Sequence, residues 1–222
     1  EGNGQTELVQ IITGILPRER GQISLNGVQL PLKTNPGFCR NAGLSHIPSD
    51  RMERGVASDS TIAENIISDR FQKKPFAKRG VLKWKEVNRF GEQMVHEFDI
   101  RTESPKTQIK MLSGGNIQKV VVAREFTSHS KITIADQPTR GIDIAAADFI
   151  RRKLVKEREN NLAVLLVSAD LTELLEVADR IIVLYKGEIV AHFKQVKQIN
   201  ETVLGEYMLG IKRMSIEEMG DL

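Results

Sequence analysis

The chain has 222 residues, 40% hydrophobic and 27% charged, which suffices to bury one sizeable core, and one domain is the expected count. A net charge of +3 without a basic tail gives no electrostatic case for nucleic acid, and a single cysteine, Cys39, excludes an internal disulfide framework and suits a reducing compartment. No run is long and apolar enough to span a bilayer, and no signal-peptide pattern or repeat stands out, so any work at a membrane is expected to pass through a partner.

The first residues read Glu1-Gly2-Asn3-Gly4-Gln5-Thr6-Glu7-Leu8. A phosphate-binding loop follows G-x-x-x-x-G-K-[ST], and Gly4-Gln5-Thr6 fits its last three positions with Gln where Lys is required. Lys brings positive charge to the β- and γ-phosphates, whereas Gln brings a neutral donor. The backbone N–H groups of Gly2, Asn3, Gly4, Gln5, Thr6 and Glu7 can still cradle phosphate, and the Thr6 hydroxyl is the expected Mg²⁺ ligand. The pattern's first glycine and the strand before it are expected upstream, in a longer polypeptide. The bland alternative is a flexible Gly/Asn start with no ligand.

Leu8, Ile11, Ile12 and Ile15 share one face at helical spacing, so a helix is expected after the loop. Ile23-Ser24-Leu25 followed by Asn26-Gly27 predicts a strand and tight turn. Leu44-Ser45-His46-Ile47 predicts another strand, ended by Pro48, with His46 structural. Thr61 to Ile67 reads as a capped short helix. Lys73, Lys74, Lys78 and Arg79 surround Pro75-Phe76, either as a solvated loop or as a contact for a membrane subunit or anionic headgroups. Trp84, Val87, Phe90, Met94, Val95 and Phe98 fall mostly at helical spacing and are expected in the core.

The run Leu112-Ser113-Gly114-Gly115-Asn116-Ile117-Gln118-Lys119 opens a predicted helix. The glycines let backbone approach a ligand closely, the Ser hydroxyl can cap the helix or donate to an anion, and the dipole favours phosphate. An ordinary Ser-Gly-Gly turn is the bland alternative. Lys131 to Asp136 predicts a buried parallel strand that delivers Asp136 to the carboxyl edge of a sheet, where a carboxylate holds Mg²⁺ in P-loop NTPases. Gln137-Pro138-Thr139 and Arg140-Gly141-Ile142-Asp143 follow, and Asp143 to about Glu159 predicts a charged helix with Arg151-Arg152-Lys153 as a solvated face. Ala163 to Ser168 reads as a buried strand, Asp170 to Ala178 as a helix, and Arg180 to Tyr185 as a strand turning at Lys186-Gly187 into Glu188-Ile189-Val190. Strands alternating with helices predict an α/β domain with a parallel sheet. Residues 195–222 read as a helical, weakly apolar tail.

In order and spacing, residues 112–119, 132–136 and 140–143 resemble the signature motif, Walker B strand and D-loop of the ATP-binding cassette (ABC) ATPases. The resemblance covers nearly the whole chain. It implies a P-loop NTPase of the ABC type, a parallel-sheet core with a helical signature subdomain at about 60–130. The nucleotide-binding domain is then 1–194, lacking its N-terminal strands and the start of the P-loop, with 195–222 a separate tail. The family's adenine-stacking aromatic residue is not found, and neither is its Mg²⁺-touching Gln near Pro48-Ser49-Asp50-Arg51.

In that family two cassettes dimerise head to tail, each ATP lying between one P-loop and the other signature. The resemblance therefore implies that Ser113, Gly114, Gly115 and Asn116 act in trans on ATP held by a partner cassette, with Asp143 in the D-loop. Asn116 stands where Gln is usual. Three substitutions make this chain's own pocket a poor catalyst: Gln5 for the loop Lys, Gln137 for the water-polarising Glu, and Ala169 for the switch His. Thr6 and Asp136 remain as Mg²⁺ ligands.

The finer likeness is to the second cassette of fused two-cassette importer ATPases, in the simple-sugar/nucleoside branch, carried by EGNGQTEL, HIPSDR, KKPFAKRG, FDIRTESP, LSGGNIQK, ADQPTRGID and LVSADLTEL. It implies ATP and Mg²⁺ as ligands, an upstream cassette in the same polypeptide, permease subunits, an external binding protein acting indirectly, no nucleic acid, and a peripheral place at the cytoplasmic face. The alternative is a non-hydrolytic regulatory nucleotide-binding module. A DNA- or ribosome-associated ABC ATPase would carry coiled-coil inserts or basic linkers, and none is present.

Overall fold

The structure, a computed structural model, describes residues 2–196 and 199–220. Glu1 of the opening run, and residues 197, 198, 221 and 222 of the tail, lie outside the described residues.

In chain order the elements are α1 (Gln5–Ile12), β1 (Ser24–Leu25), β2 (Val28–Gln29), α2 (Pro36–Asn41), β3 (Leu44–Ile47), a π-helical turn (Arg51–Gly55), α3 (Ile62–Ile67), β4 (Ala77–Lys78), β5 (Val81–Leu82), α4 (Trp84–Glu97), a 3-10 turn (Ile109–Met111), α5 (Gly114–Phe126), β6 (Ile132–Asp136), α6 (Ile144–Glu159), β7 (Ala163–Val167), α7 (Leu171–Val177), β8 (Ile181–Tyr185), β9 (Glu188–Phe193), α8 (Glu201–Met208) and α9 (Ile216–Met219). They form two compact units, one of Glu1–Ala42 with Leu166–Leu222 and one of Gly43–Leu165.

In the Gly43–Leu165 unit, β3 and β6 pair in parallel with Ile47 opposite Ala135, and the strand order is β3-β6-β7. α5 is the hub. It packs against α3, α6, β3 and the π-helical turn, so it is buried on nearly every side rather than along one stripe. Val121, Val122, Ile134 and Ile150 are fully buried in this unit. The fully buried Glu125 carboxylate is held by Arg124 Nε at 2.7 Å and by the backbone N–H of His46 at 3.2 Å. Thr61 and Glu64 close a reciprocal capping box on α3.

Three expectations for this unit are corrected. Trp84 is 51% exposed, because it opens α4 beside the β4–β5 hairpin while Val87, Met94 and Phe98 face inward. β7 is only half-buried, with Leu165 exposed, since it lies at the end of the strand order. Lys153 is not on a solvated face: its stem leads back over α6, Nζ sits 4.3 Å from the Phe98 ring centre, and burial pushes its pKa down. Arg152 does face outward, paired with Asp148 one turn earlier.

In the other unit, β8 and β9 form an antiparallel hairpin turned by Lys186 and Gly187, both at positive φ. β1 and β2 form another, turned by Asn26 and Gly27 in the same left-handed region. Ile181, Val183, Val190, Ala191, Val196 and Leu204 make the apolar cluster, closed by the tail's α8 with Tyr207 edge-on to Phe193 at 5.4 Å. α1 buries Val9 instead of the expected stripe. Thr13 caps the helix at Ile12, so Ile15 falls outside it, and Leu8 and Ile15 are exposed.

Candidate functional site

Ser113 is the N-cap of α5 and is exposed. Its side chain makes no capping bond, which leaves the second of the two uses read from the sequence, donation to an anion. Asn116, in the first turn, competes for the hydroxyl: Asn116 Nδ2 donates to Ser113 Oγ at 2.9 Å, and Asn116 Oδ1 accepts from the Arg101 N–H at 2.9 Å. With Oγ accepting, the Ser113 O–H proton is left to donate elsewhere.

The two glycines are held open from opposite sides. A Cβ at Gly114 would stand 2.8 Å from Arg51 Nη2, and one at Gly115 would stand 2.7 Å from Asp143 Oδ2 and 2.9 Å from Ala146 Cβ. Gly115 is therefore buried beneath the start of α6, while Ser113 stays at the surface. Asp143 is the N-cap of α6 and accepts from the Ala146 N–H at 2.9 Å.

The turn after β6 is tied to the same helix. Asp136 is buried at the strand's carboxyl end, and Gln137 adopts φ 49, a left-handed conformation uncommon for a side-chain-bearing residue. Gln118 Nε2 donates to Pro138 O at 2.8 Å, and the Arg140 N–H closes the turn on Gln137 O at 3.1 Å. Arg51 Nη1 donates to Arg140 O at 2.9 Å, and its Nη2 to Gly141 O at 3.1 Å. Gln118 thus ties the turn after β6 to α5, Arg51 lies between that turn and Gly114, and Asp143 lies against Gly115.

The π-helical turn that carries Arg51 is capped by Asp50, which accepts from Met52 N and Glu53 N at 2.9 Å each. The Glu53 N–H bond leads in holding this carboxyl below the usual carboxylate range. Further along α5, the buried Lys119 ammonium bonds Asp99 Oδ2 and Asp99 O at 2.7 Å each and lies 4.7 Å from the Phe149 ring centre. The Lys119 bond keeps the Asp99 carboxyl low as well.

The N-terminal loop lies in the other unit. Gly4, at φ 99, is the N-cap of α1, and its Cβ position would be 3.2 Å from Gly187 Cα. Asn3 anchors the loop to the hairpin turn: Lys186 N donates to Asn3 Oδ1 at 2.9 Å and Gly187 N to Asn3 O at 3.0 Å. Gln5 folds back, its Oε1 accepting from the Asn3 N–H at 3.1 Å. One of the N–H groups expected to cradle phosphate is therefore already satisfied within the loop. Thr6 and Glu7 are exposed in the first turn of α1, beside Gly2 at positive φ, and the Glu7 charge suits the helix dipole but repels an anion placed there. Ala169 is exposed next to Asp170, the N-cap of α7, and offers no polar atom beyond its backbone.

Thr6 belongs to the first unit and Asp136 to the second. Each is a hard oxygen donor of the kind Mg²⁺ takes, and among the described residues no group of three or more His, Cys, Asp or Glu could hold a metal ion. Sequence reasoning gave Arg51 no role of its own, quoting it within HIPSDR and in the stretch lacking a Gln. The signal it left was an Arg directly after an Asp cap.

A family model described as ABC transporter matches residues 1–140. The chain is 39% identical over 210 residues to the guanosine import ATP-binding protein NupO of Bacillus subtilis, covering 95% of this chain and 41% of that protein. It is 37% identical over 189 residues to the nucleoside import ATP-binding protein NupA of Lactococcus lactis, covering 85% and 37%. Against the ribose import ATP-binding protein RbsA of Oceanobacillus iheyensis it is 34% identical over 203 residues, covering 91% and 40%. The chain thus spans about two fifths of the length of these relatives. Among solved structures, the ATP-binding cassette MJ1267 in its ADP conformation superposes with a TM-score of 0.71 at 18% identity, over 94% of this chain and 84% of that one. The dimeric post-hydrolysis cassette MJ0796 bound to ADP and Pi gives 0.73 at 20%, over 89% and 83%, and both establish the fold alone.

Proposed function

Because the chain belongs to the ABC transporter family, we propose that it is the second, C-terminal cassette of a fused importer ATPase for simple sugars or nucleosides. In this reading it lends Ser113, Gly114, Gly115 and Asn116 to ATP held by a partner cassette. The observation that carries it is the exposed Ser113 hydroxyl at the start of α5, with its proton available and its glycines kept clear of side chains. Donors of this kind stabilise charge that develops on a transferring γ-phosphoryl group. The names of the similar proteins, which import guanosine, nucleosides and ribose, support the substrate class, and the chain's two-fifths share of their length suits one cassette of two.

The chain's own site is read as degenerate. Gln5 spends its amide oxygen on Asn3, Gln137 cannot accept a proton from water, and Ala169 cannot reach a γ-phosphate. Thr6 and Asp136 are the residues that would hold Mg²⁺, which would supply charge neutralisation at the phosphates. The nucleotide-binding domain is assigned to 1–194 with its helical part at about 60–130, and the tail to 195–222. The partners are the other cassette in the same polypeptide, permease subunits and, indirectly, an external binding protein. The place of work is the cytoplasmic face of the membrane, and no nucleic acid is involved.

The alternative reading is a regulatory module that binds nucleotide without contributing to hydrolysis, which the loss of a catalytic Glu at Gln137 and of the switch His at Ala169 would also suit. One experiment separates the two. In the full-length protein assembled with its permease, Ser113→Arg drives ATP turnover to background if the signature acts in trans. Unchanged turnover overturns that reading and leaves the regulatory one.

A further inference from the structure

Arg51 touches both segments that this reading presents to a partner. It springs from the π-helical turn directly after β3, and that turn is pinned to α5 at both ends. At the far end Arg124 Nη1 donates to Gly55 O at 2.7 Å, and a Cβ on Gly55 would lie 3.2 Å from Val121 Cγ2. At the near end the Arg51 guanidinium fills the space beside Gly114 and spans the two consecutive carbonyls of Arg140 and Gly141. Its Nε is buried without a hydrogen-bond partner. The two arms of the fork are therefore spent on backbone. A planar guanidinium reaches two carbonyls at once, which a lysine ammonium on one stem does not match.

We infer that Arg51 is a positioning residue that clamps the 140–143 turn against the start of α5, so that Ser113 and Asp143 are presented to the partner cassette in fixed register. The inference rests on the trans-acting reading above. It also gives the segment after β3 a role, because Arg51 is the side chain by which residues 48–55 meet both Gly114 and the 140–143 turn. Gly114 is required beside it, because a Cβ there would displace the guanidinium.

The test compares Arg51→Ala, Arg51→Lys and Ser113→Arg in the full-length protein assembled with its permease. Arg51→Ala is expected to lower kcat about tenfold with the KM for ATP unchanged, the loss typical of a charge-assisted bond, and Arg51→Lys about threefold, as one carbonyl is regained. Backbone amide exchange should rise at 113–116 and 140–144 and stay the same elsewhere in 43–165, with the melting temperature within about 4 °C of the parent. Exchange at 140–144 that stays at the wild-type level in Arg51→Ala overturns the clamp. So does a loss equal in both Arg51 variants that follows a lowered melting temperature. Ser113→Arg with full turnover would instead remove the trans-acting reading, and the exchange measurement would still judge the clamp by itself.

Discussion

Gly115 and Asp143 are so close that a side-chain carbon on the glycine would stand 2.7 Å from the carboxylate oxygen. The same carbon would press on Ala146 at 2.9 Å, and neither neighbour is the end of a long flexible chain. Gly115→Ala should therefore force α5 and α6 apart and break the cap that Asp143 makes on Ala146 N. Overpacking costs about 1–3 kcal/mol and a lost cap about 1. Denaturant unfolding of the isolated chain should show a loss of at least about 2 kcal/mol. A variant as stable as the parent would mean that α5 and α6 pack with more room than the structure allows.

Gly114 differs, although it is the adjacent residue. The atom that a Cβ would meet, at 2.8 Å, is the tip of Arg51, which can swing away. Helix propensity favours Ala over Gly by about 1 kcal/mol, roughly the size of what is lost when Arg51 leaves its carbonyls. Gly114→Ala should keep its unfolding free energy within about 1 kcal/mol of the parent while turnover of the assembled transporter falls. Equal loss of stability in both glycine variants would contradict this division.

The Asp99–Lys119 pair should shape the acid limb of stability. Lys119 is buried, and its ammonium holds the Asp99 carboxyl below its ordinary range. The folded state thus takes up this proton at lower pH than the unfolded chain. The contribution is whole above the ordinary carboxylate pKa and is lost as pH falls through the lower folded value. Asp99 is 67% exposed at its side chain, so solvent screening limits the effect to about 1 kcal/mol. Asp99→Asn suits the backbone φ of 48, which Asn tolerates, and should flatten the acid limb of a melting-temperature profile. An unchanged limb would show that Lys119 is satisfied by the Asp99 carbonyl and the Phe149 ring alone.

Local chemistry was legible in the sequence. Asn26-Gly27 makes a two-residue turn because both positions accept positive φ, and the Thr61–Glu64 box closes on three-residue spacing. The signature helix and the strand ending at Asp136 were also legible, because the Ser-Gly-Gly start and the β-branched run ending in an acid follow one another at short spacing. What was not legible depends on distant groups. Arg51 finds its carbonyls 89 and 90 residues along the chain, which no local pattern encodes. Capping and anion donation were equally open to Ser113 in the sequence, and a hydrogen bond from Asn116 decides between them. Trp84 and β7 were assigned to the interior by apolarity, whereas position at a helix start and at the end of a strand order decided their exposure.

Restoring the loop lysine tests the degenerate pocket from the other direction. Gln5 Oε1 now accepts the Asn3 N–H, and an ammonium in its place could accept nothing. Gln5→Lys would release that N–H toward a phosphate and add a positive charge beside it, with Asn3 still anchored through Lys186 and Gly187. One charge-assisted bond gained is worth about tenfold in affinity. Binding of a fluorescent ATP analogue should tighten by about that factor in full-length protein whose partner P-loop has been disabled. Hydrolysis should stay at background, because Gln137 still cannot take a proton and Ala169 still offers no side-chain donor. Unchanged affinity would show that the loop is a structural link to the β8–β9 turn rather than a nucleotide site, and hydrolysis restored by this single change would show that Gln137 and Ala169 are no barrier to catalysis.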